Sequence, residues 1–121
     1  MSTIRQLTLR RRGDRVGEAD RRPAIGAPQA RRLAADLSLL AHPVRLQLLG
    51  VLARNGGRVG VADLEAAVPV KQPTVSHHLR LLREAGLVEG ERDGVWTYYY
   101  VDRDALAAVR ARLHDALALL G

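Results

Sequence analysis

Cysteine is missing from this chain altogether, and phenylalanine with it. Without a thiol there can be no disulfide, no thiolate metal site and no redox switch through sulfur. The aromatic side chains amount to one tryptophan and three tyrosines, so a core has to be assembled from leucine, valine and alanine. In 121 residues such an aliphatic core supports one domain of limited stability, which apolar surface buried in a dimer would relieve. Long hydrophobic runs are lacking too. No stretch approaches the roughly 20 apolar residues of a membrane span, and no signal-peptide h-region follows the N-terminus. No membrane partner is expected, and the expected location is cytoplasmic. The constellations of an enzyme are equally absent: there is no carboxylate pair, phosphate loop or zincin motif. Ser76 and His77 are neighbours on one helix and diverge by about 100°, so they cannot form a catalytic dyad. The chain is not expected to be an enzyme, and no cofactor is expected.

What is present is positive charge, +6 in all, unevenly spread. Residues 1–25 hold seven arginines (Arg5, Arg10, Arg11, Arg12, Arg15, Arg21 and Arg22) against Asp14, Glu18 and Asp20, or +4. Residues 26–121 hold twelve basic side chains against ten acidic ones, or +2. Beyond a brief Ile4, Leu7, Leu9 pattern the leader has no periodicity, and Gly13, Gly17 and Pro23 interrupt it. Residues 1–25 therefore read as a disordered basic tail, either solvated or touching an anionic partner, and residues 26–121 as the folded domain.

Within the domain a helix is expected from Pro28, with Ala30, Leu33, Ala34, Leu37, Leu40 and Ala41 on one stripe. His42-Pro43 breaks it, because a residue before proline avoids helical angles. Pro43 suits the first turn of a second helix through about Ala53, which Asn55-Gly56-Gly57 ends. Arg58-Val59 reads as a short strand, and Val61 to Val68 as a short helix closed by Pro69. A helix from Gln72 to Ala85 follows, then two strand-like runs flanking Asp93-Gly94, a two-residue hairpin signal. Trp96, Tyr98 and Tyr100 alternate with Thr97, Tyr99 and Val101, so one set should pack on the core. The last helix, Arg103 to Leu120, carries Leu106, Val109, Leu113, Leu117 and Leu120 at spacings of 3, 4, 4 and 3.

A short helix, a turn, a longer helix and a β-hairpin make the winged helix-turn-helix pattern, a mostly α fold with a small β-hairpin wing (α+β). On the Gln72–Ala85 helix, Val75, Leu79 and Leu82 fall on one face and His77 and Arg80 near the other. Gln72, Thr74, Ser76, His77 and Arg80 are the expected contacts to double-stranded DNA, since glutamine suits adenine, arginine suits guanine, and hydroxyl or imidazole groups serve phosphates and base edges. Arg92, beside the hairpin turn, is the wing candidate. His78 flanks the apolar stripe and is expected to be packed. His77 has two further readings, as a plain surface residue or a metal ligand.

These residues resemble a known family. Ala41-His42-Pro43-Val44-Arg45-Leu46-Gln47-Leu48-Leu49 is similar to a helix segment of the ArsR/SmtB repressors. Gln72-Pro73-Thr74-Val75-Ser76-His77-His78-Leu79, continued by Leu82-Arg83-Glu84-Ala85-Gly86-Leu87-Val88, resembles their recognition helix, and Gly94 to Val101 their wing strand. The resemblance runs over about residues 28–118. It implies a sequence-specific regulator, repressing or activating, that binds an inverted-repeat operator as a homodimer through its first and last helices. Leu33, Leu37 and Leu40 on the first helix suit that interface, as do Leu106, Val109, Leu113, Leu117 and Leu120 on the last.

The departures concern sensing. Arsenic-type members carry Cys-Val-Cys-Asp-Leu where this chain has Gly60-Val61-Ala62-Asp63-Leu64. Zinc- and nickel-type members place an Asp-x-His…His-x-x-His/Glu set on the last helix. Counted from Asp102, the matching positions here are Asp104, Asp115 and Ala118; counted from Asp104, they are Leu106, Leu117 and Leu120. Neither register rebuilds an imidazole-rich site, so no metal is expected. The remaining donors, Asp102, Asp104, His114 and Asp115, leave open a nickel- or zinc-responsive regulator with a non-standard site between subunits, and the effector stands open between a metal ion and a partner protein. A reading from another class is a non-specific architectural nucleic-acid binder driven by the arginine tail.

Overall fold

The computed structural model describes residues 17–121. The Ile4, Leu7, Leu9 pattern and Arg5, Arg10, Arg11, Arg12 and Arg15 lie outside the described residues. Arg21 and Arg22 are exposed, and Arg22 Nη2 pairs with the exposed Asp20 carboxylate at 2.8 Å.

Among the described residues five helices and three strands follow in the expected order: α1 (Ala27–Leu40), α2 (Pro43–Asn55), β1 (Val59–Gly60), α3 (Val61–Ala67), α4 (Gln72–Glu84), β2 (Val88–Asp93), β3 (Trp96–Val101) and α5 (Arg103–Ala118). The boundaries are decided by caps. Pro28 and Pro43 occupy first-turn positions of α1 and α2, where a missing N–H costs nothing. His42 is extended at the N-cap of α2, and its Nδ1 accepts from the Val44 N–H at 3.2 Å. Arg45 reaches back to donate to the Leu39 carbonyl at 2.8 Å, filling one of the orphan acceptors at the end of α1. The His-Pro-x-Arg run is thus a joint: one side chain starts α2 and another finishes α1. α2 runs two residues beyond the expected Ala53 before Gly56 terminates it.

The core sits where α2, α3, α4 and the sheet converge. Leu48, Leu52, Leu64, Leu79, Leu82, Leu87, Val75 and Val88 are all under 2% exposed, each burial worth roughly 1.5–3 kcal/mol. Val59 and Val101 close it from the sheet. The three strands are antiparallel in the order β1-β3-β2.

The hairpin register differs from the expected one. Asp93 pairs with Trp96, so the two loop residues are Gly94-Val95 rather than Asp93-Gly94. Gly94 has φ +62 and, among the described residues, no non-glycine residue has positive φ, the sign pattern of a type II′ turn, which needs a left-handed residue only at its first central position. A β-branched valine fits the second position but could not occupy a type I′ turn. The consequence is that Val88 faces Val101 and Gly90 faces Tyr99.

α1 and α5 pack together at the edge of this core. The Arg112 guanidinium grips the Asp36 carboxylate with two hydrogen bonds, at 2.9 and 3.0 Å. Asp36 is buried, and the Arg112 hydrogen bonds hold its carboxyl below the ordinary carboxylate value despite that burial. Of the residues expected at a dimer interface, Leu33, Leu40, Leu106 and Leu113 are half-buried, and Leu37, Leu117 and Leu120 are exposed. Val109 is 4% exposed and packs with the core, at the floor of the depression that Leu40, Leu106 and Leu113 also line.

Candidate nucleic-acid interface

α4 divides cleanly. Val75, His78, Leu79 and Leu82 are buried, while Gln72, Thr74, Ser76, His77 and Arg80 are all exposed. The expected contact residues therefore share the outward part of one thirteen-residue helix. Arg80 is braced along that surface. Its Nη2 lies 3.2 Å from His77 Nδ1, and since a guanidinium can only donate, that ring nitrogen accepts. Its Nε lies 3.9 Å from the Glu84 carboxylate one turn on.

His78 is packed, as its position beside the stripe predicts. Its ring packs against His42 with the centroids 4.2 Å apart and the planes tilted by 45°, tying the recognition helix to the N-cap of α2. Burial pushes its pKa below the ordinary histidine value, and the nearby His42, Arg45 and His77 act in the same direction. Its Nδ1 is buried without a partner.

Strand alternation sorts the charges of the wing by face. Val88, Gly90 and Arg92 of β2 lie on one face with Thr97, Tyr99 and Val101 of β3; Val88 and Val101 are buried in the core, so this is the face turned toward α4. Glu89, Glu91 and Asp93 lie on the other with Trp96, Tyr98 and Tyr100. All three acids are engaged on that outer side. Arg58 sits 3.3 Å from Glu91 and 3.9 Å from Asp93, with its guanidinium 4.4 Å over the Tyr98 ring. The Tyr100 hydroxyl donates to Glu89, which raises the tyrosine pKa because loss of that proton would set two anions side by side. The α4-facing side of β2 carries no acid and one exposed arginine, Arg92.

Between α4 and the wing opens a cleft of about 340 Å³ lined by Pro73, Ser76, His77, Arg80, Arg83 and Tyr99. Arg83 and Tyr99 were not among the expected site residues. The three-residue step from Arg80 to Arg83, which keeps both on adjacent turns of one surface, could have pointed to Arg83; no local signal pointed to Tyr99, which meets α4 only through the strand register.

The metal-candidate residues are not brought together within one chain. Asp102 caps α5, accepting from the Ala105 N–H at 3.0 Å, and Asp104 is exposed in the first turn. His114 and Asp115 lie about 15 Å further along the helix axis. Among the described residues no group of three or more His, Asp or Glu side chains could hold a metal ion, and no helix is long and apolar enough to cross a membrane.

A short helix turning into a polar-faced recognition helix, followed by a charged β-hairpin, defines a winged helix-turn-helix DNA-binding protein. Comparison with known proteins agrees: a helix-turn-helix domain family matches residues 40–91. The biofilm growth-associated repressor of Agrobacterium fabrum is 40% identical over 89 residues, covering 74% of this chain and 71% of that protein. The transcriptional repressor SmtB homolog of Synechocystis is 45% identical over 71 residues, covering 59% and 52%. The crystal structure of the transcriptional repressor BigR from Xylella fastidiosa superimposes with a TM-score of 0.57 at 36% identity, over 69% of this chain and 85% of that one. The chain belongs to the ArsR/SmtB family of winged helix-turn-helix transcriptional regulators, whose members bind DNA and are not enzymes.

Proposed function

We propose that the protein is a homodimeric repressor that binds an inverted-repeat operator, each α4 entering the major groove and each wing reaching over the flanking backbone. The observation that carries this reading is the shared exposure of Gln72, Thr74, Ser76, His77 and Arg80 on one helix whose opposite stripe is wholly buried. Gln72 and Arg80 are the base readers, with adenine and guanine as their partners, Thr74, Ser76 and His77 complete the contact, and Arg92 serves the wing. Repression is favoured over activation by the repressor relatives in Agrobacterium and Xylella.

Dimerisation is supported by apolar surface that the chain leaves open on α1 and α5. Leu37, Leu117 and Leu120 are 45%, 51% and 66% exposed. Beside them a depression of about 640 Å³ is lined by Leu40, Leu106, Ala107 and Leu113. A two-fold pairing through these helices would set two recognition helices about one turn of DNA apart, roughly 34 Å. With Asp102 acting as a helix cap and Asp104 distant from His114, the reading requires no metal.

Titration of the purified protein against its own promoter and a scrambled duplex, with and without nickel, zinc or cobalt, tests this. Operator binding at least a hundredfold tighter than to scrambled DNA, unchanged by metal, is expected, and the paired substitutions His77→Ala and Arg80→Ala should abolish the preference while leaving the fold intact. Equal binding to both duplexes would end the reading; a metal-dependent curve would restore a sensor role for the α5 carboxylates and His114.

A further inference from the structure

The cleft between α4 and the wing is not explained by base reading. A duplex docked with α4 in its major groove presents, next to that groove, the ridge of phosphates that separates it from the minor groove. A hairpin reaching toward the minor groove straddles this ridge, so the ridge must pass between helix and wing. That is the position of the cleft lined by Ser76, His77, Arg80, Arg83 and Tyr99.

We infer that this cleft seats one phosphodiester of the DNA backbone, held by the Arg83 guanidinium and the Tyr99 hydroxyl, and that Gly90 is the residue that keeps the seat open. The inference rests on the operator reading for the orientation of the duplex. Three observations support it. Arg83 is exposed and, unlike Arg58, Arg80 and Arg112, makes no ion pair among the described residues, so its charge is available to an incoming anion. Tyr99 is half-buried against the core, which fixes its ring at the cleft wall. Gly90 lies directly across the ladder from Tyr99, and a Cβ there would stand 3.2 Å from the Tyr99 ring and 3.6 Å from Arg83 Nη1. A side chain there would press on the ring, which would have to give by a few tenths of an ångström, while Arg83 lies at ordinary contact distance.

The alternation of the wing completes the electrostatic case. Every β2 carboxylate points to the far face, where Arg58 and Tyr100 engage them, so none opposes a phosphate in the cleft. Arg92 extends the same face two residues beyond Gly90 and continues the positive path along the ridge. A guanidinium donating to a phosphate oxygen forms a charge-assisted hydrogen bond that carries no sequence information. Arg83 would therefore set affinity and register, while Gln72 and Arg80 set sequence.

Operator and scrambled duplexes titrated over a series of salt concentrations separate these roles. Arg83→Ala should weaken both duplexes by the same factor, about tenfold, and make the dependence of log affinity on log salt shallower by about one. Tyr99→Phe keeps the ring on Gly90 and removes only the hydroxyl; it should weaken both duplexes a few-fold with the salt slope unchanged, a loss that misfolding cannot explain. Arg83→Ala that leaves affinity and slope intact, in a protein that still prefers its operator, overturns the seat alone. So does Arg83→Ala that loses the operator preference but binds scrambled DNA normally, since that marks a base reader. If the wild type shows no operator preference yet Arg83→Ala still flattens the slope, the operator reading falls and the seat stands. A wild type that binds neither duplex overturns both.

Discussion

His78 occupies a place where packing alone would take a leucine. It sits 4% exposed on the buried side of the recognition helix, its ring against His42 and its Nδ1 without a partner. The cost appears in its titration. Burial holds its pKa below the ordinary 6.5, so below that pH the unfolded chain takes up a proton that the folded chain refuses. Stability is then unaffected above about 6.5 and falls as the pH drops from there toward the lower folded value. Melting temperatures at pH 7.5 and 5.5 should therefore diverge in the wild type, and His78→Leu should narrow that difference. An equal acid shift in both proteins would show that another group governs it. His77, next in sequence, is exposed, and its substitution should leave the melting curve alone. Adjacent histidines thus divide between a packed and an exposed position because successive helical residues point about 100° apart.

At the scale of elements, the wing depends on one glycine for its turn and another for its contact with α4. Gly94 holds φ +62 at the first position of the hairpin loop, a left-handed conformation that costs an ordinary residue about 1–2 kcal/mol. Gly94→Ala should lower the stability of the protein by that amount, read from the denaturant midpoint at unchanged slope. A loss below a few tenths of a kcal/mol would show that the loop relaxes to a different turn. The hairpin signal was plain in the sequence, but its register was not. Asp93-Gly94 and Gly94-Val95 are both acceptable two-residue loops, and both leave the same residues facing the core. The difference is whether Tyr99 meets Val88 or Gly90, a contact between strands that the turn residues alone do not specify. The α4 cleft was hidden for the same reason: Arg83 and Tyr99 are sixteen positions apart in the chain and meet only through that register.

For the whole molecule, the question is how much apolar surface one chain can cover by itself. The core around Leu48, Leu64 and Leu79 is closed, yet α1 and α5 leave Leu37, Leu117 and Leu120 in the open. A small aliphatic domain with such a stripe gains stability by pairing it. Leu117→Glu should convert a dimer to a monomer in sedimentation experiments and reduce operator affinity sharply, since one recognition helix would then act without its twin. A variant that sediments as the wild type would place the interface elsewhere. The half-buried Arg112 and the buried Asp36 link α5 to α1 through two hydrogen bonds beside this stripe.

The order of helices and strands, the buried stripe of α4, the outward position of its polar residues and the presence of a wing were all written in the sequence. They rest on interactions between residues a few positions apart: the 3.6-residue period, proline at a first turn, glycine at a chain reversal. Tertiary structure alone decided the rest. The bond between Asp36 and Arg112 spans 76 positions, His42 meets His78 across two helices, Val109 turns inward to the core, and Gly90 comes to lie under Tyr99. No local period encodes such pairs, because each partner is chosen by how whole elements dock, and docking is settled by the volume and shape of every side chain between them.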